Sequence, residues 1–85
     1  MARYELQVKK SVAKDLDSFP KKDVQRIVEA INGLADDPRP LQSLKLCGAG
    51  KYRLRYGVYR ILYEIQNEML IVCVVKVGRR KDAYR

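Results

Sequence analysis

A proline-containing break at residues 36–40 (Asp-Asp-Pro-Arg-Pro) divides this chain into a helical half and a strand-forming half. Before the break, apolar residues recur at helical spacing over residues 21–35, which predicts an amphipathic helix with one buried face. Proline disfavours helical geometry in the residue before it, so the helix ends here. From residue 51 onward, apolar and polar residues alternate, which predicts strands. A fold in which helices pack on a sheet would bury the apolar residues of both halves.

The same patterns of apolar residues predict how many helices and strands the chain forms. Residues 4–8 alternate in polarity and predict a short opening strand, and Ser11 is a suitable N-cap for a two-turn helix that Pro20 ends. After residue 51 we expect three strands, joined by short turns at Gly57 and at residues 66–68. The last strand is apolar on both faces and should be central in the sheet. Residues 41–50 have no sustained periodicity and are predicted to be a connection.

The length of 85 residues allows one small domain, spanning residues 1–85. No apolar run approaches the roughly 18 residues of a membrane span, and the first residues lack the apolar stretch of a signal peptide. We therefore expect a soluble, cytoplasmic protein with no membrane partner.

Cysteine and histidine content restricts the possible chemistry. Cys47 and Cys73 are too few for a disulfide framework, and a thiolate metal site needs more ligands. The chain has no histidine, which excludes histidine acid–base and triad chemistry. Asp36 and Asp37 precede a proline and are more typical of a turn than of a cation site. We expect neither a metal nor another cofactor.

Positive charge is concentrated in the second half of the chain. The chain has 18 Lys plus Arg and 10 Asp plus Glu. Residues 1–44 hold 8 basic and 7 acidic side chains, whereas residues 45–85 hold 10 basic and 3 acidic ones. Such a concentration attracts polyanions, which predicts a nucleic acid or an acidic protein as partner. A solvated basic surface is the alternative that charge alone leaves open.

The first predicted hairpin gathers several of these cations. If Tyr56 and Gly57 form a two-residue turn, Arg53 lies directly opposite Arg60. The basic residues that then share one face are Lys51, Arg53, Arg55 and Arg60. The residues on the other face, available to pack on the helices, are Tyr52, Leu54, Tyr59, Ile61 and Tyr63. Like charges opposite each other destabilise a hairpin, which favours a functional reason for them over a merely wet face.

Two tyrosines and the terminal cations are further candidates for binding RNA. Tyr56 in the turn and Tyr84 near the chain end are not needed for core packing and could stack on bases. Residues 79–81 (Arg-Arg-Lys) follow the last strand. A frayed, solvated tail is the alternative for this segment. The predicted RNA-binding residues are Lys51, Tyr56, Arg79 and Lys81.

Three segments resemble a known family. They are residues 52–55 (Tyr-Arg-Leu-Arg), residues 59–65 (Tyr-Arg-Ile-Leu-Tyr-Glu-Ile) and residues 75–85 (Val-Lys-Val-Gly-Arg-Arg-Lys-Asp-Ala-Tyr-Arg). Together with the opening strand, the helix pair and the Asp-Pro turn, they are similar to the RelE toxins of bacterial type II toxin–antitoxin modules, within the RelE/ParE superfamily. The resemblance implies an α+β fold, a twisted antiparallel sheet of about four strands packed by two N-terminal helices.

The resemblance also implies an activity and partners. RelE toxins are ribosome-dependent endoribonucleases that cleave mRNA in the A site and inhibit translation, and a RelB-like antitoxin neutralises them. The catalytic positions of the family match Arg53, Arg55, Arg60, Arg80 and Tyr84. Arginine stays protonated in proteins, so the arginines suit charge stabilisation. Tyr84, Glu64 and several lysines could transfer protons, and we favour Tyr84 as the general base. Such an enzyme would need no metal.

Two other functions remain open at this point. A ParE-like inhibitor of DNA gyrase has the same fold, and fold alone does not separate it from a nuclease. A non-catalytic RNA-binding module would need only the basic face. The terminal pair Arg80 and Tyr84, together with the arginine hairpin, favours the nuclease.

Overall fold

The computed structural model describes residues 3–46, 48 and 50–79 of the chain. It contains two helices and five strands, in the order β1 (Glu5–Val8), α1 (Lys10–Asp17), α2 (Lys21–Asp36), β2 (Ser43–Lys45), β3 (Lys51–Tyr56), β4 (Tyr59–Gln66) and β5 (Ile71–Arg79). The predicted α+β class, with two helices packed on a twisted sheet, is confirmed.

The sheet has five strands in the order β1-β5-β4-β3-β2. It differs from the expected four-stranded antiparallel sheet in two ways. First, β1 runs parallel to β5, because the two helices form the crossover that a parallel pair requires. Second, the predicted connection contains β2, which pairs with β3 but has only three residues, too few to show a period. The last strand is central as predicted, since β5 lies between β1 and β4.

The helices begin and end close to the predicted residues. Helix α1 starts at Lys10, with Lys9 in the extended N-cap conformation, so the prediction of Ser11 as the N-cap is wrong. Helix α2 follows directly after Pro20 and ends at the acidic pair before Pro38, as predicted. Its buried residues are Ile27, Ile31, Leu34 and Ala35, which lie on one stripe at helical spacing.

The core lies between the helices and one face of the sheet. The sheet contributes the buried side chains Leu54, Tyr59, Ile61, Tyr63, Ile65, Val72, Val74 and Val77. Tyr63 is 1% exposed, and its hydroxyl donates a 2.7 Å hydrogen bond to the carbonyl oxygen of Pro38. This bond ties β4 to the loop after α2 and satisfies a polar group that would otherwise be costly to bury. The opposite face of the sheet is covered by neither α1 nor α2, and we call it the open face.

The buried phenol of Tyr63 makes stability at high pH depend on its proton. Burial raises the pKa of Tyr63 to about 12, above the usual value of 10. The resulting stabilisation is therefore fully present below pH 10 and is lost as the pH rises towards 12. Tyr63→Phe should lower the free energy of unfolding by about 1 kcal/mol at pH 7, because the hydrogen bond is lost. Above pH 10 the difference from wild type should shrink.

Urea unfolding at pH 7, 9, 10 and 11 measures this prediction for both proteins. Lysines titrate in the same range but are common to both, so only the difference between the two curves reports Tyr63. Parallel curves across the whole range would contradict the assignment.

Candidate nucleic-acid interface

The hairpin of β3 and β4 closes one residue later than the sequence predicted. Gly57 and Val58 form the turn, and Tyr56 pairs with Tyr59. Gly57 has a φ of +59°, the conformation that a II′ turn requires at its first central position and that glycine adopts without a steric penalty. The prediction of a Tyr56-Gly57 turn, which placed this glycine second, is wrong.

The corrected register changes which arginines meet. Arg55, not Arg53, lies directly opposite Arg60, and Arg53 lies opposite Leu62. Each pairing is displaced by two residues, and side chains in a strand alternate with a period of two, so every side chain keeps its predicted face. Arg53, Arg55 and Arg60 therefore share the open face of the sheet, as expected.

Lys76 also belongs to this open face, although the sequence analysis missed it. It lies opposite Leu62 on β5, and the regular β4–β5 pairing runs from Tyr59 to Leu62 before the register shifts. Arg53 and Lys76 thus flank Leu62 from its two neighbouring strands. The sequence feature that could have revealed it is a single lysine within the apolar run of the last strand. We call Arg53, Arg55, Arg60 and Lys76 the arginine face.

Arg60 is the charged residue most deeply placed in the fold. It is 4% exposed, and of the described residues it is the only charged one that is buried. Across β5 it faces Gly78, which has no side chain, whereas its partner on β3, Arg55, is exposed. Burying a charge is expensive, and a buried side chain has little freedom to move. The side chain of Arg60 is therefore restricted in its motion, whereas that of Arg55 beside it is solvated.

The other predicted binding residues do not join this group. The side chain of Lys51 lies on the same face of the sheet but at the far end of β3, opposite Glu64. Tyr56 lies on the helix side of the sheet, beside Ala30 and Gly33 of α2, in a cavity of about 510 Å³. Arg79 lies opposite Tyr59, also on the helix side.

Three predicted residues fall outside the part of the chain that the structure describes. They are Arg80, Lys81 and Tyr84.

The arrangement is suited to binding a phosphate group. Arg55 and Arg60 are direct neighbours across two strands, and guanidinium groups can hold phosphate oxygens with two parallel hydrogen bonds. The described residues include no group of three or more cysteine, histidine, aspartate or glutamate side chains that could hold a metal ion. Neither α1 nor α2, the helices of the described segments, is long and apolar enough to cross a membrane.

Comparison with known proteins gives consistent similarities. The family profile described as "ParE toxin of type II toxin-antitoxin system, parDE" matches residues 6–84. Toxin RelG of Mycobacterium tuberculosis is 32% identical over 96% of this chain and 97% of its own length. The archaeal RelE–RelB complex of Pyrococcus horikoshii contains a chain that is 31% identical, with a TM-score of 0.84 over 96% of this chain and 99% of that one.

Isolated RelE toxin of Escherichia coli has the same fold. Its TM-score is 0.75 at 22% identity, with 95% of this chain and 90% of that chain covered.

The juxtaposition of Arg55 and Arg60 predicts an effect on stability. Like charges directly opposite each other on a sheet repel by a few tenths to about 1 kcal/mol, so Arg55→Gln should leave the free energy of unfolding unchanged or raise it by that amount. The gain should fall at 1 M salt, where the Debye length is only about 3 Å. Lys22→Gln, at an exposed position on α2, removes the same charge on the other side of the sheet and serves as control.

Urea unfolding at low and high salt measures both variants. A loss of stability in Arg55→Gln, or a salt dependence no larger than that of Lys22→Gln, would contradict repulsion within the pair.

Proposed function

We propose that this chain, which belongs to the RelE/ParE family of type II toxins, is a metal-independent endoribonuclease that cleaves mRNA in the ribosomal A site. Cleavage there would stop translation. The observation that carries the proposal is the arginine face, in which Arg55 and Arg60 adjoin on the open side of the sheet. The similar chains named RelE and RelG support the RelE branch of the family.

Cleavage of an RNA strand has three chemical requirements. The 2′-hydroxyl loses its proton, its oxygen forms a bond to phosphorus, and the bond from phosphorus to the 5′-oxygen breaks as that oxygen takes up a proton. Negative charge builds up on the phosphate oxygens in between. Arg55 and Arg60 would stabilise this charge, and preorganised electrostatic stabilisation is often the largest catalytic contribution. Arg53 and Lys76 would hold neighbouring phosphates of the strand.

The proton-transfer groups must come from another part of the chain. Guanidinium groups stay protonated and do not act as bases at neutral pH. Tyr59 points to the helix side, where its hydrogen bond to Asp23 raises its pKa. Glu64 lies on the open face but four residues from Arg60, about 13 Å along the strand. Tyr84, which matches the terminal tyrosine of the family, is the proposed general base, and Arg80 is a proposed additional phosphate ligand.

Positively charged surroundings would favour the ionised form of a tyrosine at such a site. The ribosome would hold the mRNA in line for attack, which substitutes for a pair of positioned histidines. Lys81 would contribute to RNA affinity, whereas Lys51, Tyr56 and Arg79, which lie away from the arginine face, would not. In this account the cytoplasm, where the ribosomes are, is the site of action.

The proposed protein partner is a RelB-like antitoxin. The similar chain from Pyrococcus horikoshii was solved in a complex of RelE with RelB. The chain carries a formal charge of +8, so an acidic antitoxin segment would be attracted to it from a distance. Binding across the arginine face would block access to the phosphates of mRNA.

Translation with toeprinting tests the proposed reaction. Adding the purified protein to ribosomes programmed with a defined mRNA should give truncated mRNA that ends within the A-site codon. Naked mRNA should remain intact, because the ribosome supplies the alignment.

A gyrase supercoiling assay with the same preparation tests the alternative. Intact mRNA together with inhibited supercoiling would identify a ParE-like gyrase poison. If neither reaction responds while RNA still binds, the chain is a non-catalytic RNA-binding module.

Two substitutions at Tyr84 separate proton transfer from stacking. A general base needs the hydroxyl, so Tyr84→Phe should slow single-turnover cleavage of ribosome-bound mRNA by about 10²-fold or more. A stacking residue needs only the ring, so Tyr84→Phe would stay active while Tyr84→Ala would not. If both variants cleave at the wild-type rate, Tyr84 has neither role.

A further inference from the structure

A second, separate feature adjoins the arginine face from the other side of the sheet. Tyr59 is the first residue of β4 and precedes Arg60. Its side chain is 4% exposed and its hydroxyl donates a 2.5 Å hydrogen bond to a carboxylate oxygen of Asp23, in the first turn of α2. The ring of Phe19 packs against it at a centroid distance of 4.8 Å.

We propose that Tyr59 and Asp23 are positioning residues for the arginine face. Their hydrogen bond fixes the corner of the sheet from which Arg60 projects and at which β5 ends. This role rests on the proposed nuclease function. Neither residue touches the RNA, because both lie on the helix side of the sheet.

Three elements meet at this corner. Asp23 comes from α2, Tyr59 from β4, and Arg79 is the β5 residue directly opposite Tyr59. The hydrogen bond to Asp23 is the largest cause of the raised pKa of Tyr59, and the guanidinium of Arg79 acts on that pKa in the opposite direction. The phenol thus hydrogen-bonds to a carboxylate of α2 and lies opposite a cation of β5. Such charge-assisted hydrogen bonds are stronger and shorter than neutral ones.

The geometry of β4 couples the hydrogen bond between Tyr59 and Asp23 to the position of Arg60. Successive residues of a strand point to opposite faces, so anchoring Tyr59 on the helix side sets the backbone from which Arg60 leaves on the open side. The next rung of the ladder pairs Arg60 with Gly78. Charge stabilisation of a transition state requires donors placed within about 0.5 Å, so a loosened corner should slow the chemical step more than it weakens binding.

The chain offers a matched control on the same strand. Tyr63 is buried on the same face, and its hydroxyl also makes one hydrogen bond, to the carbonyl oxygen of Pro38. It lies four residues further along β4, away from the corner. Tyr63→Phe therefore removes an equivalent group without disturbing the anchor of Arg60.

Single-turnover cleavage on programmed ribosomes measures the effect. We expect Tyr59→Phe to lower the maximal rate about tenfold, with the half-saturating toxin concentration within twofold of wild type. Tyr63→Phe should cleave at the wild-type rate. Asp23→Asn should stay close to wild type, because its amide oxygen still accepts the hydrogen bond, whereas Asp23→Ala should match Tyr59→Phe.

Amide hydrogen exchange gives a readout that does not depend on activity. Tyr59→Phe should speed exchange at Arg60 and Arg79, and Tyr63→Phe should not. Equal exchange at these two residues in both variants would overturn the proposal, as would a wild-type maximal rate for Tyr59→Phe. If the wild-type protein leaves mRNA intact, the nuclease function fails by itself, and the exchange difference still decides whether Tyr59 anchors the corner.

Discussion

The two-residue period of the β3–β4 hairpin is the constraint on which the rest of the structure depends. One set of alternate residues, including Leu54, Tyr59 and Tyr63, packs on the helices, and the intervening set contains the arginines. Gly57 fixes the register of both sets through a single turn, because only glycine adopts its backbone conformation without strain. The packing that stabilises the domain and most of the charge that would bind RNA are therefore specified by the same hairpin, Lys51 to Gln66. A register slip by one would exchange the two faces.

The two helices complete this division because they cover one face of the sheet and leave the other open. On the covered face, buried tyrosines tie β4 to α2 at Asp23 and to the following loop at Pro38. On the open face, Arg55 and Arg60 lie directly opposite each other. We propose that this like-charge pair lowers stability until a phosphate binds to it. The hydrogen bonds of the buried tyrosines on the other face of β4 would offset that cost and hold the strand from which Arg60 projects.

The sequence predicted the elements with the clearest periodicity. The helical stripe of α2, the turn before Pro38 and the two faces of the hairpin were all recognisable, because each depends on spacing within one segment. The pairings that depend on other segments were not. Gly57 suits either central position of a two-residue turn, which is why the register was placed two residues off. Strand β2 is too short to have a period, and the parallel pairing of β1 depends on the path of both helices.

The burial of individual polar side chains could likewise not be predicted from the sequence. Arg60 and Arg55 look alike in the sequence, and only the strands on both sides of β4 make one buried and the other exposed. We propose that these two arginines stabilise charge on the scissile phosphate. Single-turnover mRNA cleavage by Arg55→Gln and Arg60→Gln, with Lys22→Gln as the charge-matched control, measures their contribution. We expect losses of about 10²-fold or more for both arginine variants and a near wild-type rate for the control. Folded arginine variants that cleave as fast as Lys22→Gln would contradict it.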